Sequence, residues 1–246
     1  MRNLLLTLLG RPTNRATSEI GKANLLLERR YEYHKMRETV LADTAGEKWM
    51  EPFGLALGID NEQFVPWKEA FFSKHDKLLL VEGETDKQYF ELLRDEKHGN
   101  KALKFGGEIV SYGGKDSIKP RFLLNFIKNK YKKCFITFDL DVKQEVEPCL
   151  TDVGLEEGKN YCAVGVDEPG RKDIEGLIPD NIRSTVYSAN TGLVAQAMNG
   201  TPKGRHSAKN KLKQLILQEF KKVASPGEEH YKGLYALAKQ VDKALA

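Results

Sequence analysis

From residue 77 onward the chain alternates short apolar runs with longer stretches of helical spacing. Leu78–Val81, Glu108–Tyr112, Cys134–Phe138 and Tyr161–Val166 have the length and composition of strands. Between them, Asp86–Arg94 sets Phe90 and Leu93 on one helical face, and Ile118–Asn129 reads as a second helix. Strands separated by helices imply βα units, so the pattern predicts an α/β fold: a mainly parallel four-stranded sheet flanked by helices. The ends of the chain read differently. Leu4, Leu5, Leu8 and Leu9, then Leu25–Leu27 with Tyr31, Tyr33 and Met36, predict two helices broken near Gly10–Pro12. Gly54–Asn61 is turn-like, and Val65–Phe72 is a short helix leading into the first strand. At the far end Leu212, Leu215, Ile216 and Phe220 mark a helix over Lys209–Val223, and Glu228–Leu245 repeats the rhythm after Ser225–Pro226–Gly227. The expected organisation is a helical segment 1–75 serving as linker or dimerisation element, an α/β core 76–200, and C-terminal helices 201–246 that complete the site.

Two of the strands stop on carboxylates. Leu78–Val81 runs into Glu82–Gly83–Glu84–Thr85–Asp86, and Cys134–Phe138 runs into Asp139–Leu140–Asp141. Crowded carboxylates repel one another and resist desolvation, so acids at a buried sheet edge point to a bound cation. Asp139 and Asp141 are two apart and would face the same way on extended backbone. Asp173 and Glu175 add a further acidic pair before an apolar stretch. On the strand ends alone the expected metal ligands are Glu82, Asp86, Asp139 and Asp141. Carboxylate oxygens suit Mg²⁺ or Mn²⁺.

Composition narrows the field. With 246 residues, 40% hydrophobic and 30% charged, the chain is an ordinary globular one. Three cysteines without C-x-x-C spacing suit a reducing, cytoplasmic setting and supply no disulfide framework. The five histidines are scattered, which argues against zinc. Leu4–Leu9 is too short to span a membrane. The net charge of +4 is mild, but Lys119–Arg121, Lys128–Lys133 and Lys203–Lys222 are locally basic around an acidic centre, an arrangement that suits a phosphodiester. Gly113–Gly114–Lys115 could take a DNA phosphate on its backbone N–H groups and on Lys115. No G-x-x-x-x-G-K-[ST] occurs, so no nucleotide site is expected.

The V-E-G-x-x-D strand end followed by D-x-D resembles the Toprim domain, and most closely that of the OLD (overcoming lysogenisation defect) nucleases. The resemblance extends over roughly residues 76–215 and takes in Asp173–Ile174–Glu175. It also implies a later lysine, Lys209 or Lys211, of which Lys211 stands directly before the apolar stripe. It implies an Mg²⁺- or Mn²⁺-dependent endonuclease hydrolysing DNA with two ions. Glu82, Asp86 and Asp139 would hold one ion; Asp141, Asp173 and Glu175 the other, with Asp139 bridging. Glu82 is alternatively a general base, and Lys211 or Lys209 a cation stabilising the transition state. OLD enzymes normally carry an ATPase ahead of Toprim, so either a longer protein or a partner in trans would supply one, or the chain is a stand-alone relative. The N-terminal helices would serve a homo-oligomer. The alternatives are a Toprim nuclease acting on RNA and an inactive module that binds nucleic acid or a partner protein.

Overall fold

The computed structural model describes residues 65–225 and 229–246. The predicted helices of the first fifty residues and the Gly54–Asn61 turn lie outside the described residues. The chain divides into two compact units, residues 1–73 and 74–246. In the first, a 3-10 turn at Val65–Trp67 leads into α1 (Lys68–Phe72), with Trp67, Ala70 and Phe71 buried.

The second unit is an α/β sandwich built in the order β1 (Lys77–Val81), α2 (Glu84–Arg94), α3 (Glu96–Gly99), β2 (Glu108–Ser111), α4 (Arg121–Lys130), β3 (Lys133–Asp139), α5 (Lys143–Asp152), β4 (Tyr161–Val164), α6 (Asp180–Ala189), α7 (Thr191–Asn199), α8 (Pro202–Val223) and α9 (Lys232–Leu245). The four strands form one all-parallel sheet in the order β2-β1-β3-β4. In β1 the alternation puts Leu79 and Val81 into the main core, which they share with Tyr89 and Phe90 of α2, Ile216 and Phe220 of α8, and Leu234, Ala238 and Val241 of α9. Leu78 and Leu80 are equally buried and point to the other face, outside that cluster. There α4 and α5, both in contact with β3, bury Leu124, Ile127, Val146 and Leu150. Burial on both faces explains why β1 reads as a continuous apolar run, each such side chain contributing about 1.5–3 kcal/mol.

The strand order has a functional consequence. The chain leaves β1 toward β2 on one side and continues from β3 toward β4 on the other, so the direction of winding reverses between β1 and β3. A crevice opens at the C-terminal edge of a parallel sheet at such a point. Glu82 and Asp139 stand at the ends of those two strands.

The four expected strands are all present, with ends within two residues of those read from the sequence. The α8 helix begins earlier than its apolar stripe, at Pro202, where Thr201 caps it by accepting from Gly204 N–H at 3.2 Å. Four of the described helices were not anticipated: the single turn α3, and α5, α6 and α7. α5 carries Pro148 inside it, and α7 buries none of its residues, so neither shows a strong apolar period. Among the described residues no helix is long and apolar enough to cross a membrane.

Candidate metal centre

At the end of β1 the chain turns sharply through Glu82 and Gly83 into α2. Asp86, at the third helical position, accepts the Gly83 N–H through Oδ2 at 2.8 Å and so caps the helix. Its other oxygen, Oδ1, is buried without a hydrogen-bond partner. The Glu82 side chain reaches across to β3, where Oε2 accepts the Asp139 N–H at 3.0 Å. Its carbonyl accepts from Gly113 N–H and Gly114 N–H at 3.1 and 2.9 Å. Those two glycines have φ of 81° and 101°, the left-handed region that lets successive N–H groups converge on one carbonyl. The donors expected to receive a phosphate at Gly114 are thus committed to holding Glu82, and Lys115 pairs with Glu145 at 2.6 Å. The groups read from the sequence as a phosphate-binding turn, Gly114 and Lys115, therefore have partners within the chain.

Beyond Asp139 the backbone turns into a 3-10 segment, Leu140–Val142, instead of continuing extended. Asp139 and Asp141 therefore do not share a face: Asp139 is partly buried and Asp141 is exposed. Asp141 remains close enough to Glu82 to raise its pKa, but it stands at the rim. The Asp173–Glu175 pair is brought in by backbone bonding, since Leu140 N–H donates to Lys172 C=O at 2.7 Å and so sets Asp173 beside Asp139. Arg171 pins the same loop by donating to Gly176 C=O from Nε and Nη2 at 3.1 and 2.9 Å. A Cβ at Gly176 would collide with the Arg171 carbonyl, so only glycine fits there. Asp173 caps the Ile174–Leu177 turn, and Glu175 is buried with neither carboxylate oxygen hydrogen-bonded.

A lysine stands in the middle of these acids, and it is Lys213. Its Nζ lies 3.4 Å from Asp139 Oδ2, 3.3 Å from Asp173 Oδ2 and 3.2 Å from Glu175 Oε2. The last is an ion-pair approach without hydrogen-bond alignment, consistent with the unpartnered Glu175 oxygens. Next to it, Gln214 Nε2 donates to Thr85 Oγ1 at 3.0 Å and ties α8 to the start of α2. Lys209 and Lys211 are exposed, and neither pairs with an acid among the described residues. The expected lysine position is corrected by helix geometry: Leu212, Ile216 and Phe220 of α8 face the core, and the residue that emerges beside them at the acidic edge is Lys213. The readable signal was a cation inside the apolar stripe, Leu212–Lys213–Gln214–Leu215.

Electrostatics separate this group from ordinary surface charge. Burial raises the pKa of Glu82 above the usual carboxylate range. Asp86 is pushed to about 6, Glu175 to about 8 and Asp139 to about 9, in each case by burial first and by the neighbouring acids as well, against the pull of Lys213. Burial would lower the Lys213 pKa, but Glu175, Asp139, Asp173 and Asp86 together raise it, so it stays an ammonium. The acids assigned separately to two ions interact as one group: Asp86 feels Glu82 and Asp173, and Glu175 feels Asp173 and Asp86. As the side chains stand, no three His, Cys, Asp or Glu side chains among the described residues are arranged to hold a metal ion. One ammonium lies between Asp139, Asp173 and Glu175 instead. It cannot neutralise five carboxylates. The surplus negative charge, the all-oxygen donor set and the orphaned oxygens of Asp86 and Glu175 fit a hard divalent cation.

Residues 71–141 match the family described as Overcoming lysogenization defect protein-like, TOPRIM domain. Over these residues the chain is similar to an OLD-like Toprim domain. The match spans β1, β2 and β3 and includes Glu82, Asp86, Asp139 and Asp141. It stops before Asp173, Glu175 and Lys213, which the structure sets beside Asp139. No curated protein and no solved structure matches the chain. Toprim domains are metal-dependent nucleic-acid-processing domains, and the acidic edge of this one has the charge such a role requires.

Proposed function

We propose that the chain is an Mg²⁺- or Mn²⁺-dependent endonuclease that hydrolyses DNA phosphodiester bonds at the C-terminal edge of β1 and β3. The observation that carries this reading is the surplus of buried and half-buried acid over cation: Glu82, Asp86, Asp139, Asp173 and Glu175 converge on Lys213, the one cation standing among them in the described residues, with the first three and Glu175 raised in pKa. Those five residues would hold two ions, with Asp141 at the rim. Bound there, such ions lower the pKa of water and offset the charge of the attacking and leaving oxygens.

The chain's own groups divide the remaining work. Glu82 is fixed twice, by its carbonyl on the glycine turn and by Oε2 on the Asp139 N–H, and its raised pKa suits proton acceptance. Lys213 keeps a positive charge at the same point, where it would offset the charge that builds on phosphate oxygens in the transition state. The Arg171 clamp and the Leu140–Lys172 bond hold Asp173 and Glu175 in register with Asp139, so the acids are pre-positioned before substrate arrives.

The test is plasmid nicking in Mg²⁺, Mn²⁺ or EDTA by the parent and by Asp139→Asn, with circular dichroism to show that both are folded. Nicking by the parent that needs metal and falls about a hundredfold or more in the variant is the expected result. Equal cleavage by the variant, or binding without cleavage in every metal, would sink the proposal; the second outcome would favour a binding module.

A further inference from the structure

The outer half of α8 is charged in a way the metal centre does not use. No Asp or Glu occurs between Asp180 and Glu219, while Arg183, Lys203, Arg205, Lys209, Lys211 and Lys213 do. From Pro202 to Lys211 only Ala208 is buried. Residues four apart on a helix are rotated by about 40° and separated by about 6 Å along the axis, so they form a slowly winding row. One row of α8 is Ala208, Leu212, Ile216 and Phe220, all buried. The row beside it is Arg205, Lys209, Lys213 and Leu217. Its inner cation, Lys213, lies within 3.4 Å of Asp139, Asp173 and Glu175. Its outer cations, Arg205 and Lys209, are exposed and have no acidic partner among the described residues. On the flank away from the apolar row run His206 and Asn210, hydrogen-bonded to each other at 3.1 Å, then Gln214.

The geometry points to the Arg205–Lys209 row as a track for the sugar-phosphate backbone of a nucleic acid, delivering a phosphodiester to the acids around Lys213. This deepens the nuclease reading and rests on it for the identity of the substrate. Three features favour a nucleic acid over an acidic protein or a lipid surface. The cations are evenly spaced along one line. That line ends at the group proposed to act on a phosphodiester. The residues flanking Arg205 and Lys209 on the exposed side are polar, with none of the apolar side chains that would enter a bilayer. Lys203 and Lys211 each stand two residues from a member of the row, a rotation of about 200°, and so project from the opposite side of α8. They carry the same charge as Arg205 and Lys209 without lying on the track.

That pairing supplies the test. The full chain and the variants Arg205→Ala/Lys209→Ala and Lys203→Ala/Lys211→Ala are titrated with a fluorescent oligonucleotide in EDTA, across a series of salt concentrations. The track predicts that the first variant binds about tenfold or more weakly at low salt, with the slope of log affinity against log salt reduced by about 1–2, while the second stays within about twofold. Equal weakening by both variants, weakening by neither, or a parent that binds anionic vesicles and no oligonucleotide would overturn it. The nuclease reading stands or falls separately. If the parent binds along the row and cleaves in no metal, hydrolysis is wrong and the track remains. If the parent cleaves, and Arg205→Ala/Lys209→Ala reaches half-saturation at the same substrate concentration, the track is wrong and hydrolysis remains.

Discussion

Two charged regions of this molecule lie close together in sequence and obey opposite rules. After β2, Lys115, Lys119, Asp116 and Glu145 form an exposed network of two cations and two acids, with contacts of 2.6, 2.7 and 3.1 Å. Hydrogen bonds from Lys115 and Lys119 lower the Glu145 pKa. At the edge of β1 and β3 the acids outnumber the cation, lie in or near the core, and have their pKa values raised by burial. A balanced, hydrated network explains itself. An unbalanced, desolvated one costs stability and marks a place where something positive is expected to bind.

The comparison is broken most forcefully by removing the central cation. Lys213→Met leaves buried carboxylates facing one another, and in EDTA near pH 8 the chain should lose about 3–5 kcal/mol of unfolding free energy in urea titrations. Lys119→Met, in the exposed network, should leave the midpoint where it is. If the two variants unfold alike, the acidic edge is no more strained than the surface.

The next largest effect is on pH. Asp86, Glu175 and Asp139 have folded pKa values of about 6, 8 and 9, raised above ordinary carboxylates. The folded chain therefore holds protons that the unfolded chain has released. Stability from this source is fully present below about pH 4 and is lost as pH rises through the folded values, so the stability curve should fall between about pH 4 and 9. Each extra proton held contributes a slope of about 1.4 kcal/mol per pH unit. Saturating Mg²⁺ should flatten the curve, because a divalent cation replaces the protons. A curve that is flat in EDTA would show that the acids are already compensated.

A smaller effect sharpens the same point at one residue. Asp86 uses Oδ2 as a helix cap and leaves Oδ1 buried and unpartnered. Asp86→Asn keeps an acceptor for the Gly83 N–H and removes one negative charge, so in EDTA it should be as stable as the parent or more so. With Mg²⁺ at about a hundred times its dissociation constant the parent should gain about 2.7 kcal/mol, and the variant markedly less. A variant that gains as much as the parent would place the ion away from Asp86.

How far this was visible from the sequence depends on how local each cause is. Glu82 and Asp139 stood out because an apolar strand ends on each, and the four strands followed from the same runs. Asp141 was misplaced because two-residue spacing implies a shared face only on extended backbone, and the chain turns at Leu140. Lys213 was missed because its selection depends on how α8 rotates against the sheet, a tertiary fact that favours it over two neighbouring lysines. The bond from Leu140 to Lys172 that brings Asp173 beside Asp139 joins residues far apart in sequence and has no local signature. The helices α5, α6 and α7 were hidden by an internal proline and by stretches rich in Ser, Thr, Asn and Gly.

The smallest expected effect concerns the glycine turn, where sequence and structure give different roles to the same residues. A phosphate-binding turn would offer the Gly113 and Gly114 N–H groups and the Lys115 ammonium to the substrate. Here both N–H groups bond the Glu82 carbonyl, and Lys115 bonds Glu145. Lys115→Ala should therefore change the substrate concentration at half-maximal cleavage by no more than about twofold, since losing one exposed ion pair disturbs little around it. Gly114→Ala introduces a side chain at φ of 101°, where the surrounding space is open but the backbone is strained, and it should lower the cleavage rate by displacing Glu82. The two variants together separate positioning from contact. If Lys115→Ala weakens substrate use and Gly114→Ala does not slow cleavage, the turn holds phosphate after all, and Glu82 is positioned by Asp139 alone.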